Sequence, residues 1–346
     1  MKYAHSADAK IAFNLITQLQ TFFVESLQRV TEQNNQPQKF EKIDWLRNNG
    51  EWGGGWRFVS ANNQVFNSAA VNFSQVQYED QPQRLLNSAT AISTIIHPNN
   101  PKAPSVHMHY SYTEYKNKPG FWRLMADLNP SIYNEADRRL FAKAVSENAG
   151  DTLEMGLAQG NKYFSIPALG RARGVVHYYL EEYQTDDVEF VAVFAQEMMK
   201  CYCDILEKSL YKKLPISDQD REKQIEYHTL YLFQVLTLDR GTTSGLLIHN
   251  DNDIGIMGSI PGLVSRNLLK LWHHRMHDDP LAPLVAKIIS VMPKADFVTV
   301  GDSMKQKLAT VVRQFFTENP QALKYQAKGF TVTSTVANHG FNHVEN

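Results

Sequence analysis

Between His97 and Tyr115 the chain reads HPNNPKAPSVHMHYSYTEY, which brings three histidines into one short segment. Pro98, Pro101 and Pro104 block a helix there. Val106, Met108, Tyr110 and Tyr112 then alternate with His107, His109, Ser111 and Thr113 at the two-residue period of a strand. His107 and His109 therefore share one face. Two imidazoles placed that way suit acid/base work or metal ligation; hydrogen-bonded histidines on a half-buried strand are the plain alternative.

The turn KNKPG leads into FWRLMADLNP, expected to return as the partner strand with Asp127 near its end. Arg123 precedes Asp127 by four residues and falls on the same strand face. Arg171 and Arg173, just before Gly174, offer guanidinium forks for carboxylates or else form a solvated loop pair. Asp239-Arg240-Gly241-Thr242 follows an apolar run, where it either lines a site or makes a turn with a local salt bridge. The glycines Gly53 to Gly55 match no dinucleotide or P-loop spacing. His107, His109, Glu114 and Gly120 resemble the first motif of the cupin barrels, H-x-H-x4-E followed by Gly, which implies a metal-dependent oxygenase; no second Pro-x-Gly…His motif follows.

The elements that must position these groups are expected as follows. Ile11, Leu15, Leu19, Phe22, Phe23, Leu27 and Val30 predict an amphipathic helix over residues 1–35. EWGGGWRFVS and VFNSAAVNFSQVQ form a hairpin about an Asn-Asn turn. A capped helix begins at NEADRR, an irregular segment runs through PALGRARG to the strand VVHYYLEEY, and DDVEFVAVFAQEMMKCYCDILEKSL is a second long helix. A further helix begins near Ser217. LYLFQVLTLDRGTTSGLLI and DIGIMGSIPGLV read as later strands, before a helix-rich end. Hairpins in succession with helices between groups predict an α+β fold with a large, mostly antiparallel sheet, in one domain spanning 1–346.

Composition narrows the partners. Of 346 residues 43% are hydrophobic, enough for a substantial core, and 35 Lys+Arg against 36 Asp+Glu give a formal net charge of −1. With no block of like charge to track phosphates or anionic lipid, neither nucleic acid nor a membrane is an expected partner. Cys201 and Cys203 are too few for a disulfide framework, and no secretory leader or membrane-spanning run is seen. A soluble, cytoplasmic protein is expected.

Taken in order, HPNNPKAPSVHMHYSY, ADLNP, RARG, LDRGT and SIPGLV resemble the oxygen-dependent coproporphyrinogen III oxidases over about residues 40–275. The resemblance implies an antiparallel sheet flanked by helices on both faces, a homodimer, and oxidative decarboxylation of two coproporphyrinogen III propionates to vinyl groups. Dioxygen would be the co-substrate, with no organic cofactor. It implies His107 as proton donor, Ser93 and His109 as substrate contacts, Arg173 and Arg240 as forks for propionates, and Asp127 or Asp239 as the carboxylate near the pyrrole N–H groups. His97 with His107 would be what remains of a divalent-metal site. The sequence departs from the family at Ser111, at Arg123-Leu124-Met125, at HNDND after LDRGT, and at Leu140 and Leu169, where bacterial members have further histidines. Residues 280–346 form an extension beyond the usual length. A catalytically silent tetrapyrrole-binding protein of the same fold is the rival reading.

Overall fold

The computed structural model describes residues 1–212, 214–248 and 252–329. Seven strands form one sheet: β1 (Glu41–Leu46), β2 (Gly53–Ala61), β3 (Phe66–Gln77), β4 (Leu86–Pro98), β5 (Ser105–Tyr115), β6 (Phe121–Asn129) and β9 (Val176–Tyr183). All neighbours are antiparallel, in the order β1-β2-β3-β4-β5-β6-β9. Two short strands, β7 (Ser165–Ile166) and β8 (Arg171–Ala172), make a separate ribbon that delivers Arg173 to the sheet. The α+β expectation holds.

The sheet is open, with β1 and β9 at its edges, so it is not a cupin barrel. Glu114 lies one residue out of phase with His107 and His109 and so points to the opposite face, where it accepts hydrogen bonds from Ser6 and Ser88. The His107, His109, Glu114 set therefore does not converge. The three glycines of β2 serve chain pairing: a Cβ on Gly53, at φ +95°, would lie 2.0 Å from the Gln75 carbonyl oxygen.

One face is covered by α1 (Ala7–Gln33), α2 (Glu135–Asn148) and α4 (Val188–Tyr211). Leu15, Leu19, Phe23 and Leu27 of α1 are buried at the expected helical spacing, each contributing about 1.5–3 kcal/mol by leaving water. Ser6 caps α1 and Asp187 caps α4. α3 (Leu153–Tyr163) was expected to be irregular. Its Gly156 and Gly160 weaken the helical pattern, but they are what allow it to lie on β9. A Cβ on Gly156 would sit 2.1 Å from the Tyr178 ring, and one on Gly160 2.6 Å from the His177 carbonyl oxygen.

The other face carries α5 (Asp218–Thr237), α6 (Arg240–Ile248) and α7 (Asp253–Ile256). The apolar run expected as a strand is the second half of α5. Every residue from Tyr227 to Thr237 is buried, which erases the one-sided pattern by which a helix is recognised. Of the other expected strand only β10 (Leu263–Ser265) is extended, paired with β11 (Phe297–Thr299). α8 (Arg266–His273), α9 (Ala282–Val291) and α10 (Asp302–Glu318) complete a second core with α5, in which Leu232, Leu236, Leu284, Val285, Leu308 and Val312 are buried. The expected extension therefore includes part of this core; residues 330–346 lie outside the described chain. HNDND falls partly outside it as well, at 249–251.

Candidate active site

The β4-β5-β6 register assembles the site. His107 pairs with Asp127 and Ile95, His109 with Met125 and Ser93, and Ser111 with Arg123 and Ala91. These side chains share the face turned towards α5–α7. Between sheet and helices lies a cavity of about 300 Å³, lined by Ser93, His107, His109 and Arg123 from the strands, and by Tyr163, Tyr231, Asp239 and Arg240 from the helical side. Arg123 thus lines the same cavity as His107, as the strand phase predicts.

Asp127 and Arg173, expected to touch substrate, are fully buried behind His107 and do not line this cavity. Arg173 Nη2 donates to Asp127 Oδ2 at 2.8 Å and to His107 Nδ1 at 3.2 Å. A guanidinium has no lone pair to offer, so Nδ1 must be the acceptor and the proton of neutral His107 resides on Nε2. Burial first, then the charge of Arg173, holds this imidazole well below the usual histidine range. His107 is therefore a neutral N–H donor. Asp127 also accepts from Asn129 Nδ2 at 2.8 Å, and His177 Nε2 is 3.6 Å from its Oδ1. Burial raises the Asp127 pKa against the pull of Arg173, His177 and Asn129. Phe164 and Tyr231 flank the Arg173 guanidinium at 4.9 and 4.8 Å. Gly174, at φ +81°, lets the chain pass: a Cβ there would lie 2.4 Å from Asp127 Oδ1.

Asp239 and Arg240 border the cavity from a helix start, not from a strand end. Asp239 Oδ2 accepts from the Thr242 backbone N–H at 2.6 Å, and Oδ1 accepts from the Tyr163 hydroxyl at 2.9 Å. Both bonds fix the orientation of the carboxyl group. Arg240 is paired with the buried Glu181, so its charge is balanced within the protein. Arg171, by contrast, is exposed and meets Glu226 at 2.9 Å.

His97 is fully buried, with Nδ1 2.9 Å from Ser105 Oγ and Nε2 3.1 Å from the Ser259 carbonyl oxygen. The carbonyl can only accept, so Nε2 bears the proton and Nδ1 accepts from the serine. His97 has no lone pair left for a metal, and His107 Nδ1 is taken by Arg173. Among the described residues no group of three or more His, Cys, Asp or Glu side chains could hold an ion. The His97/His107 pair does not fit a metal site. His109 contacts Ser111 Oγ at 3.0 Å, and burial, followed by the Arg123 charge, lowers its pKa to about 3.

Tyr163, Tyr231 and Glu181 escaped the sequence reading. Tyr163 lay in the stretch expected to be irregular, and Tyr231 in a helix expected to be a strand. Glu181 sits in the strand EEY, where nothing local marks it as the partner of an arginine 59 positions away.

The sequence model of the family described as Coproporphyrinogen III oxidase matches residues 12–282. Similar curated proteins include the Oxygen-dependent coproporphyrinogen-III oxidase of Prochlorococcus marinus strain AS9601, 28% identical over 295 residues, covering 72% of this chain and 83% of its own. The mitochondrial enzyme of that name from Rattus norvegicus is 26% identical over 282 residues, covering 72% of this chain and 60% of its own. The chloroplastic one from Glycine max is 30% identical over 240 residues, covering 60% and 61%. With the family model spanning 271 of the 346 residues, the chain belongs to the coproporphyrinogen III oxidase family.

Proposed function

We propose that the chain decarboxylates coproporphyrinogen III oxidatively, converting two propionates to vinyl groups and yielding protoporphyrinogen IX, a step of heme biosynthesis. Each propionate, with one dioxygen and one proton, gives one vinyl group, one carbon dioxide and one hydrogen peroxide. The bond to the carboxyl carbon breaks, a hydride equivalent leaves the methylene attached to the ring, and dioxygen takes up both electrons. No organic cofactor is required by that balance.

The observation that carries the reading is the opposition of two polarised groups across one cavity: the Nε2–H of His107 on the sheet and the carboxylate of Asp239 on the helical side. Asp239 accepts from a substrate pyrrole N–H and stabilises positive charge as the electron-rich ring is oxidised. His107 donates to the oxygen-bearing partner. Arg173 and Asp127 fix which nitrogen of His107 carries its proton, and so act as positioning residues. Ser93 and His109 line the ring-facing wall. The homodimer and the cytoplasmic location belong to the same reading, and the buried free thiols of Cys201 and Cys203 suit a reducing compartment. Among the described residues no helix is long and apolar enough to cross a membrane.

The test is anaerobic loading with coproporphyrinogen III, admission of oxygen, and chromatography of the products. Protoporphyrinogen with two equivalents of carbon dioxide is expected. Binding without carbon dioxide release would make the chain a silent tetrapyrrole-binding protein.

A further inference from the structure

Resting on the function just proposed, we infer that Arg123 is the docking point for one substrate carboxylate, at the end of the cavity remote from His107. Two arginines line the cavity, Arg123 and Arg240, and Arg173 lies behind His107. Arg173 is neutralised by Asp127 and Arg240 by Glu181. Arg123 lines the cavity but makes no hydrogen bond or ion pair with any described residue; its Nε is buried without a partner, and its aromatic neighbour is Phe121, 5.9 Å from the guanidinium. Tyr179, Tyr163 and Glu182 act on it through space.

An arginine cannot shed its proton, and no ion pair with a described residue neutralises this one, which leaves it open to an anionic ligand. A guanidinium fork is shaped for a carboxylate, which it binds through two parallel hydrogen bonds. The neighbouring imidazole of His109, with its pKa lowered to about 3, stays neutral and adds no second charge.

Register fixes the span. Arg123 and Asp127 are four residues apart on β6, about 13 Å along the strand, and Asp127 is the cross-strand partner of His107. A ligand that engages both Arg123 and His107 therefore carries a carboxylate about one macrocycle's breadth from its reacting edge. A tetrapyrrole with acid side chains around its rim has that form: while one propionate reacts near His107, another is held at Arg123.

The test compares wild type with Arg123→Gln and Arg123→Lys, using coproporphyrinogen III and its tetramethyl ester as anaerobic probes in calorimetry. Arg123→Gln is expected to weaken binding of the acid about tenfold or more, and to leave the ester unchanged. Arg123→Lys should restore part of the loss, because it returns the charge but not the fork. In turnover, KM should rise more than kcat falls, since Arg123 lies away from the reacting atoms. Thermal melting should show Arg123→Gln as stable as wild type or more so, whereas a structural role would lower its Tm. Equal losses for acid and ester, or unchanged binding of the acid by folded Arg123→Gln, would overturn the inference while leaving the function standing. Wild type that binds neither probe would overturn both.

Discussion

Arg173 Nη2 lies 3.2 Å from His107 Nδ1, and this contact decides what kind of catalyst His107 can be. Because arginine only donates, the imidazole faces the cavity with a proton. The same guanidinium neutralises Asp127, so the acid's tautomer and the balance of a buried charge depend on one side chain.

That coupling separates structure from positioning. Arg173→Met should destabilise the fold by about 3–5 kcal/mol, since Asp127 is left as an unpaired buried charge. Adding Asp127→Leu should recover most of that stability in urea unfolding. Turnover should nonetheless stay depressed, approaching the loss of about 10²–10⁴-fold expected for His107→Ala. Full recovery of kcat in the double variant would show that His107 keeps its tautomer unaided.

Acid should unfold the protein partly through histidines that do not line the cavity. His97 and His228 are buried with ring centroids 5.5 Å apart. Burial lowers the pKa of both, of His228 to about 4 from 6.5. Above pH 6.5 both states hold these rings neutral. Below it the unfolded chain binds the protons and the folded one does not, so stability falls as pH drops from 6.5 towards 4. The loss between pH 7 and 5.5 should be about 1 kcal/mol per histidine, read from urea midpoints. His228→Phe should flatten that slope.

Tyr163→Phe removes the hydroxyl that donates to Asp239 Oδ1. A hydrogen bond to a charged group is worth about 1.5–3 kcal/mol, so kcat/KM for the porphyrinogen should fall about tenfold to a hundredfold when the hydroxyl no longer holds Asp239 in place. Unchanged kcat/KM in folded Tyr163→Phe would show that Asp239 keeps its position without that bond.

The sheet was legible in the sequence because its strands alternate: the strand phase at Val106 to Thr113 and the four-residue step from Arg123 to Asp127 both survive in the register. The strand assignment of LYLFQVLT failed because a helix buried on every side shows no period. Site depth was illegible for a related reason. His107 and Asp127 share a face, yet only His107 reaches the cavity. Asp127 is covered by Arg173, which arrives from a ribbon 46 residues further along the chain. Nothing local in RARG distinguishes the exposed Arg171 from the buried Arg173; the partner across the sheet does.

An arginine of the C-terminal helices helps to hold the wall of the site. Arg313 of α10 donates from Nε to the Leu246 carbonyl oxygen of α6 at 2.6 Å and pairs with Asp253 of α7, whose side chain is 2% exposed. Gln306 donates to the same carboxylate at 2.6 Å. The wall formed by Ser244, Gly245, Asn252, Gly255 and Ile256 is thereby pinned from behind by residues outside the matched family segment. Arg313→Ala strands a buried carboxylate and should cost about 3–5 kcal/mol in urea unfolding. Gln306 alone cannot neutralise that charge, so Asp253→Asn in the Arg313→Ala background should return part of the stability. The bond to Leu246 stays broken in the double variant, and KM for the porphyrinogen should remain raised because α6 and α7 are no longer tied together. A KM equal to that of wild type in the folded double variant would mean that α10 stabilises the second core without shaping the cavity.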